Sequence, residues 1–237
     1  MFLAEMFGTM ILVLLGDGVV ANVLLSKSKG QNSGWIVITA GWAFAVMSGA
    51  FVSLALGGPG SLNPAGEIAS LLRPNANVNV ALTNIAGQFV GAFIGAVLVW
   101  LAYLPHWAET QDKGLKLAVF STGPAIRNPG MNLLTEIIAT FALIFLVNCI
   151  FIASGDTLPG GLGPYLVAAL IWGLGLSLGG PTGYALNPAR DLGPRIAHFV
   201  LPIAGKGGSD WSYSWIPVVG PIIGAVIAAL VLNLVGL

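Results

Sequence analysis

Long apolar runs alternate with short polar breaks along nearly the whole chain. Six runs, at residues 3–25, 35–56, 78–104, 131–153, 164–178 and 215–237, approach or exceed the roughly 20 helical residues needed to cross about 30 Å of hydrocarbon. The fifth is the shortest and is rich in glycine. Two further stretches, 57–77 and 179–214, are too apolar for plain aqueous loops, yet they break the pattern with prolines and charges. Each holds one Asn-Pro-Ala triplet, at Asn63-Pro64-Ala65 and Asn187-Pro188-Ala189, followed by a short apolar run at 68–72 or 196–201. Asparagine is a favoured helix cap and proline is tolerated at the first helical position. Both triplets therefore predict short helices that start inside the membrane with their N-termini facing each other. The connection 105–130 carries His106, Glu109, Asp112, Lys113, Lys116 and Arg127, and reads as an aqueous link.

The pattern repeats. Glu5, in Ala4-Glu5-Met6-Phe7-Gly8-Thr9, and Glu136, in Thr135-Glu136-Ile137-Ile138-Ala139-Thr140, lie 131 residues apart. The triplets are 124 apart, and two glycine-containing segments beginning at Gly87 and Gly220 are 133 apart. With three spans per half, an odd number, the second half must enter from the opposite side, so the repeat is inverted. The expected organisation is one domain, 1–237, made of repeats 1–104 and 131–237 joined by 105–130. Gly87, Gly91 and Gly95, and Gly220 and Gly224, recur every four residues and permit close helix contact.

Composition agrees with an all-α, multi-pass membrane protein. Hydrophobic residues make up 56% and charged residues only 8%, against about a quarter charged in soluble domains. The mean hydropathy is +0.89. A net charge of +0 argues against nucleic acid as a partner. Cys149 is the lone cysteine, and His106 and His198 show no ligand spacing, so no disulfide, metal site or cofactor is expected. No nucleophile, base and orienting group are arranged for catalysis, which argues against an enzyme. The first basic residue is Lys27, so the first run reads as a retained span rather than a signal peptide.

Six spans, two half-helices, paired Asn-Pro-Ala motifs and a glutamate in spans one and four carry a family likeness. The chain resembles the major intrinsic protein family, the aquaporins and glycerol facilitators. The second motif, Asn-Pro-Ala-Arg-Asp at 187–191, is the more specific, and Asp191 is typical of the glycerol-conducting branch. The resemblance implies a narrow filter at Trp42, Gly175, Tyr184 and Arg190; Pro217 also matches that branch. It further implies a homotetramer with one pore per subunit, in the cell membrane, with both termini cytoplasmic. Lys27 and Lys29 then fall in an outer loop, against the positive-inside rule. Three departures stand out. Tyr184 replaces the usual phenylalanine, the first motif lacks the common Ser-Gly-Ala-His lead-in, and Asp17 and Glu67 are acidic where apolar or neutral residues are expected.

Backbone before each triplet, at 58–62 and 181–186, is expected to present a line of carbonyl acceptors, with Asn63 and Asn187 adding donors where the half-helices meet. Two opposed helix N-termini oppose cations and protons. Gly175 is expected to open the constriction, leaving Trp42 and Tyr184 as an apolar corner opposite Arg190. Glu5 and Glu136 are expected to support the pore by accepting from backbone N–H groups of their own half, with Asp191 a further support. Asp17 and Glu67, lacking symmetric counterparts, are candidate modulators, Glu67 as a first-turn anion. This predicts a passive channel for glycerol and other small neutral solutes, with some water; dihydroxyacetone, urea, hydrogen peroxide and protonated lactic acid are further candidates, and lipid surrounds the helices. Two alternatives remain. A water-selective aquaporin usually has histidine at the Gly175 position and lacks Asp191. An ion-coupled secondary transporter also fits inverted repeats, and Asp17 and Glu67 suit it.

Overall fold

All six apolar runs are helices in the computed structural model, which describes residues 1–74, 76–155, 158–159 and 161–237. In chain order the helices are α1 (Phe2–Leu24), α2 (Trp35–Ala55), α3 (Pro64–Ser70), α4 (Val78–Ala102), α5 (Leu104–Glu109), α6 (Lys113–Phe120), α7 (Pro129–Ser154), α8 (Leu162–Leu178), α9 (Pro188–Val200) and α10 (Ile216–Leu234). Five of them, α1, α2, α4, α7 and α10, are long and apolar enough to cross a membrane; α8, the expected fifth span, has 17 residues. No strand occurs among the described residues.

Helix packing repeats between the halves. The helix α1 packs on α4 and α2, as α7 packs on α10 and α8, and α2 meets α8 across the two halves. The glycines set the spacing of the closest pairs. A methyl group on Gly87 or Gly95 of α4 would lie 2.5 Å from the carbonyl oxygen of Phe2 or Met10 on α1, and one on Gly91 would collide with that of Met6. Gly220 and Gly224 of α10 lie in the same way against Leu133, Glu136 and Ile137 of α7. Lipid offers apolar side chains no net gain from burial, so close backbone packing of this kind carries helix association.

Both short helices start at the expected triplets and cross between halves. The helix α3 packs chiefly on α10, and α9 chiefly on α4. They are unequal, 7 and 13 residues. The expected aqueous link 105–130 is also more ordered than its charges suggest. Asp112 caps α6 by accepting from the N–H groups of Gly114 and Leu115, and α6 packs on α1 and α9. Trp107 stacks on Phe120 with ring centroids 5.5 Å apart, and both are buried. Even one of its charges is turned inward: Lys116 is buried and donates to the carbonyl of Ala204. Further along, Arg127 pairs with Asp210 at 2.5 Å. Burial raises the Asp210 carboxyl, but hydrogen bonds from Arg127 and Ser212 outweigh it and hold the group below its ordinary value.

The glycine seam makes a direct prediction. Gly91→Leu should destabilise the fold by more than the roughly 1–3 kcal/mol typical of overpacking, because the obstructing atom is backbone. Gly173→Ala, on α8 with nothing within 4 Å, should be tolerated. Thermal unfolding in detergent compares the two.

Candidate functional site

Asn63 and Asn187 adopt nearly the same backbone, with φ and ψ of −147° and 113°, and −150° and 110°. Each caps its own helix. Asn63 Oδ1 accepts from the N–H of Ala65, and Asn187 Oδ1 accepts from those of Ala189 and Arg190. Their amide nitrogens cross over. Asn63 Nδ2 donates to the carbonyl of Leu186 at 2.9 Å, and Asn187 Nδ2 donates to that of Leu62 at 2.7 Å. An amide nitrogen carries two donors, so one N–H of each remains for a solute.

The residues before each asparagine are held in unusual conformations. Leu62 and Leu186 have φ of 55° and 56°, and Gly60 and Tyr184 have φ of 69° and 40°. A non-glycine residue in this left-handed region costs on the order of 1 kcal/mol and persists only where its surroundings impose it. Here the imposing groups are two buried glutamates. Glu5 accepts from the N–H groups of Ser61 and Leu62, from Ser53 Oγ and from Gln88 Nε2. Glu136 accepts from the N–H groups of Ala185 and Leu186 and from Thr182 Oγ1. In a trans peptide the carbonyl points opposite to the N–H. The carbonyls of Gly60, Ser61, Tyr184 and Ala185 therefore point away from the glutamates, towards the cavity that these residues line.

That cavity has a volume of about 510 Å³. It extends from Trp42, Tyr184 and Arg190 past Asn63 and Asn187 to Ser70 and Arg73. Val46 and Ala50 of α2, Ile144 and Val147 of α7 and Val167 and Ile171 of α8 form its apolar wall. Arg73 is fixed by donating to Asn233 Oδ1 at 2.9 Å.

The four residues expected to form a filter come together in an arrangement that differs from the expected one. Arg190 does not face Trp42 across an opening; its guanidinium carbon lies 3.9 Å above the Trp42 ring centroid. Stacking a weakly hydrated planar cation on an aromatic face explains this choice. Gly175 does not open the cavity either. The Tyr184 ring fills the space its missing side chain leaves, and a methyl group there would lie 2.9 Å from Tyr184 Cζ. Trp35 completes this packing, donating to the Gly175 carbonyl at 3.0 Å and meeting Tyr184 edge-on with centroids 5.8 Å apart.

The acids also need correction. Glu67 does have a counterpart, Asp191, at the same offset as the two asparagines. Both are buried in the first turn of their helices. Glu67 accepts from Asn84 Nδ2 of α4 at 3.2 Å. Asp191 accepts from Thr122 N and Oγ1 and from Arg195, at 2.8 Å to Nη2. Arg195 was not picked out from the sequence, although its i,i+4 spacing from Asp191 is visible there. It also donates to the carbonyls of Thr122, Ser209 and Asp210, tying α9 to two loops. Asp17 is fully buried, with Oδ1 3.9 Å from Arg190 Nη1.

A family profile described as "Major intrinsic protein" matches residues 1–232. The chain belongs to the major intrinsic protein family. Among relatives, a "Probable glycerol uptake facilitator protein" of Thermotoga maritima is 56% identical over 220 residues, covering 93% of this chain and 92% of that one. A "Glycerol uptake facilitator protein" of Streptococcus pneumoniae strain R6 is 53% identical over 230 residues, 97% of each chain. The X-ray structure of the aquaglyceroporin from Plasmodium falciparum superposes with a TM-score of 0.86 at 26% identity, covering 98% of this chain and 94% of that one. The all-helical architecture is thus that of the major intrinsic proteins.

Hydrogen bonds to a charged partner contribute about 1.5–3 kcal/mol each, and an orphaned buried donor costs about 1–3 kcal/mol. Glu136→Ala, which orphans the N–H groups of Ala185 and Leu186, should cost about 2–5 kcal/mol. It should also lower solute flux in the folded fraction, because the carbonyl row loses its anchor. Thermal unfolding and vesicle permeability measured on the same preparation check both effects.

Proposed function

We propose that this multi-pass membrane protein is a passive channel through which glycerol and other small neutral solutes diffuse, with some water. The observation that carries this reading is the two-faced cavity. One side offers the carbonyls of Gly60, Ser61, Tyr184 and Ala185 together with donors from Asn63, Asn187 and Arg190; the other is aliphatic. A polyol has hydroxyls along one edge and C–H groups along the other, and both edges find partners at once. The relatives named as glycerol uptake facilitators support the same substrate.

In this reading Asn63-Pro64-Ala65 and Asn187-Pro188-Ala189 form the centre of the pore, and Trp42, Gly175, Tyr184 and Arg190 its filter. Gly175 acts indirectly, by seating Tyr184. Glu5, Glu136 and Asp191 support the pore from behind. Cations are opposed by the two helix N-termini and by Arg190, and the passage strips away the water that a hydrated ion would need. Dihydroxyacetone, urea, hydrogen peroxide and protonated lactic acid belong to the same class of small neutral solute. An ion-coupled transporter would need a titratable group in the path. Asp17 and Glu67 are absent from the cavity lining, and the side chain of Glu67 is engaged by Asn84.

The reading extends to the assembly and its setting. Exposed apolar side chains such as Phe44, Phe51, Ile138 and Leu230 suit contact with lipid and with neighbouring subunits of a homotetramer. Residues 1–104 and 131–237 act as the two inverted repeats of one channel domain, with 105–130 between them. The protein sits in the plasma membrane with both termini cytoplasmic.

Stopped-flow light scattering of proteoliposomes tests the function. Glycerol flux should rise linearly with its gradient, ignore imposed ion gradients and carry no proton current. Saturation, or dependence on an ion gradient, would point to the transporter instead. Gly175→His should displace the Tyr184 ring and cut glycerol flux severely, with water flux reduced much less. Unchanged glycerol permeability in the folded variant would remove Gly175 and Tyr184 from the filter.

A further inference from the structure

We infer that Asp17 is a positioning residue for the filter: its buried carboxylate holds the Arg190 guanidinium against Trp42, and so sets how well the pore favours glycerol over water. The inference rests on the reading of Trp42, Tyr184 and Arg190 as the filter.

Asp17 lies on α1, one residue beyond Gly16, and is 0% exposed. It is absent from the cavity lining, which includes Trp42 and Arg190, so it approaches the filter from behind. Its Oδ1 is 3.9 Å from Arg190 Nη1. That is beyond hydrogen-bonding distance, so the attraction is Coulombic. Among the described residues, neither Asp17 oxygen has a hydrogen-bond partner, and neither has Arg190 Nη1.

The surroundings make this pairing specific. Of the helices packed against α1, neither α2 nor α4 carries a charged residue. On α9, Asp191 is bound to Arg195 at 2.8 Å, and His198 meets Ser209 Oγ at 2.8 Å. On α6, Lys116 donates to the carbonyl of Ala204, and Lys113 lies at the first position of that helix, beside the capping Asp112. Arg190 is thus the cation at ion-pair distance from Asp17.

Consecutive residues of α1 fix the two halves of the stack. A methyl group on Gly16 would collide with the Trp42 ring, so the glycine is the seat on which the indole rests. Arg190 Cζ lies 3.9 Å above that ring, and Asp17 draws the same guanidinium from the side away from the cavity. If the carboxylate is made neutral, the ring alone restrains the guanidinium. Arg190 itself lines the cavity, so a guanidinium released from the ring turns into the passage. A three-carbon solute needs that width and a water molecule does not.

Proteoliposome permeabilities of Asp17→Asn, Arg190→Leu and the double variant test the inference. Asp17→Asn, nearly isosteric, should lower the glycerol-to-water permeability ratio by about tenfold, within the usual range of coupling for groups in contact. In the Arg190→Leu background it should leave the ratio unchanged and raise the unfolding midpoint, because it removes a buried carboxylate that has lost its cation. A ratio unchanged by Asp17→Asn, or an equal loss with and without Arg190, overturns the inference. Should Asp17→Asn fail to fold, recovery of folded protein in the double variant supports the pairing, and failure of both overturns it. If the unmodified protein conducts water but no glycerol, the glycerol reading fails on its own. The coupling is then read from water permeability and the unfolding midpoints, which require no glycerol.

Discussion

Two crossed hydrogen bonds at the centre of the molecule, from Asn63 to the Leu186 carbonyl and from Asn187 to the Leu62 carbonyl, are the constraint on which the rest depends. Each asparagine both starts its own short helix and holds the backbone that leads into the other. The helix tips are therefore fixed directly to each other, as well as through the spans they pack against. Non-helical backbone at membrane depth survives only if its polar groups are satisfied by protein or by the lumen. The crossed amides and the two glutamates satisfy the side facing the protein. The remaining carbonyls have nowhere to turn except the cavity, so the requirement that stabilises the fold also supplies the acceptors of the pore.

Ionisable groups inside a membrane protein are costly, and their partners show what each is for. Glu5 and Glu136 accept only from neutral donors and act on backbone. The symmetric pair Glu67 and Asp191 has diverged. Glu67 meets the amide of Asn84, whereas Asp191 meets Arg195 and, through it, the carbonyls of Thr122, Ser209 and Asp210. Arg195 thus ties the longer α9 to two loops, a link that Glu67 does not make for α3. The two ends of the cavity therefore differ, with Arg190 stacked on Trp42 at one and Arg73, held by Asn233, at the other.

The sequence by itself determined the features that are local or strictly repeated. Apolar length located the long helices to within about two residues at most ends, because hydrocarbon thickness leaves few other solutions. The caps at Asn63 and Asn187 were legible because asparagine followed by proline has a local meaning. The glycine spacing announced close helix packing, and the matched glutamates announced a role shared by both halves. The tertiary structure alone decided what depends on meeting across the fold. It turned the presumed aqueous link into two helices with buried aromatics, placed Tyr184 in the space beside Gly175, and laid Arg190 on Trp42 instead of across from it. It also brought Asp17 to Arg190, 173 positions away along the chain. No periodicity encodes such a contact, because its energy comes from Coulombic attraction and ring stacking in a buried setting that exists only once α1, α2 and α9 have converged.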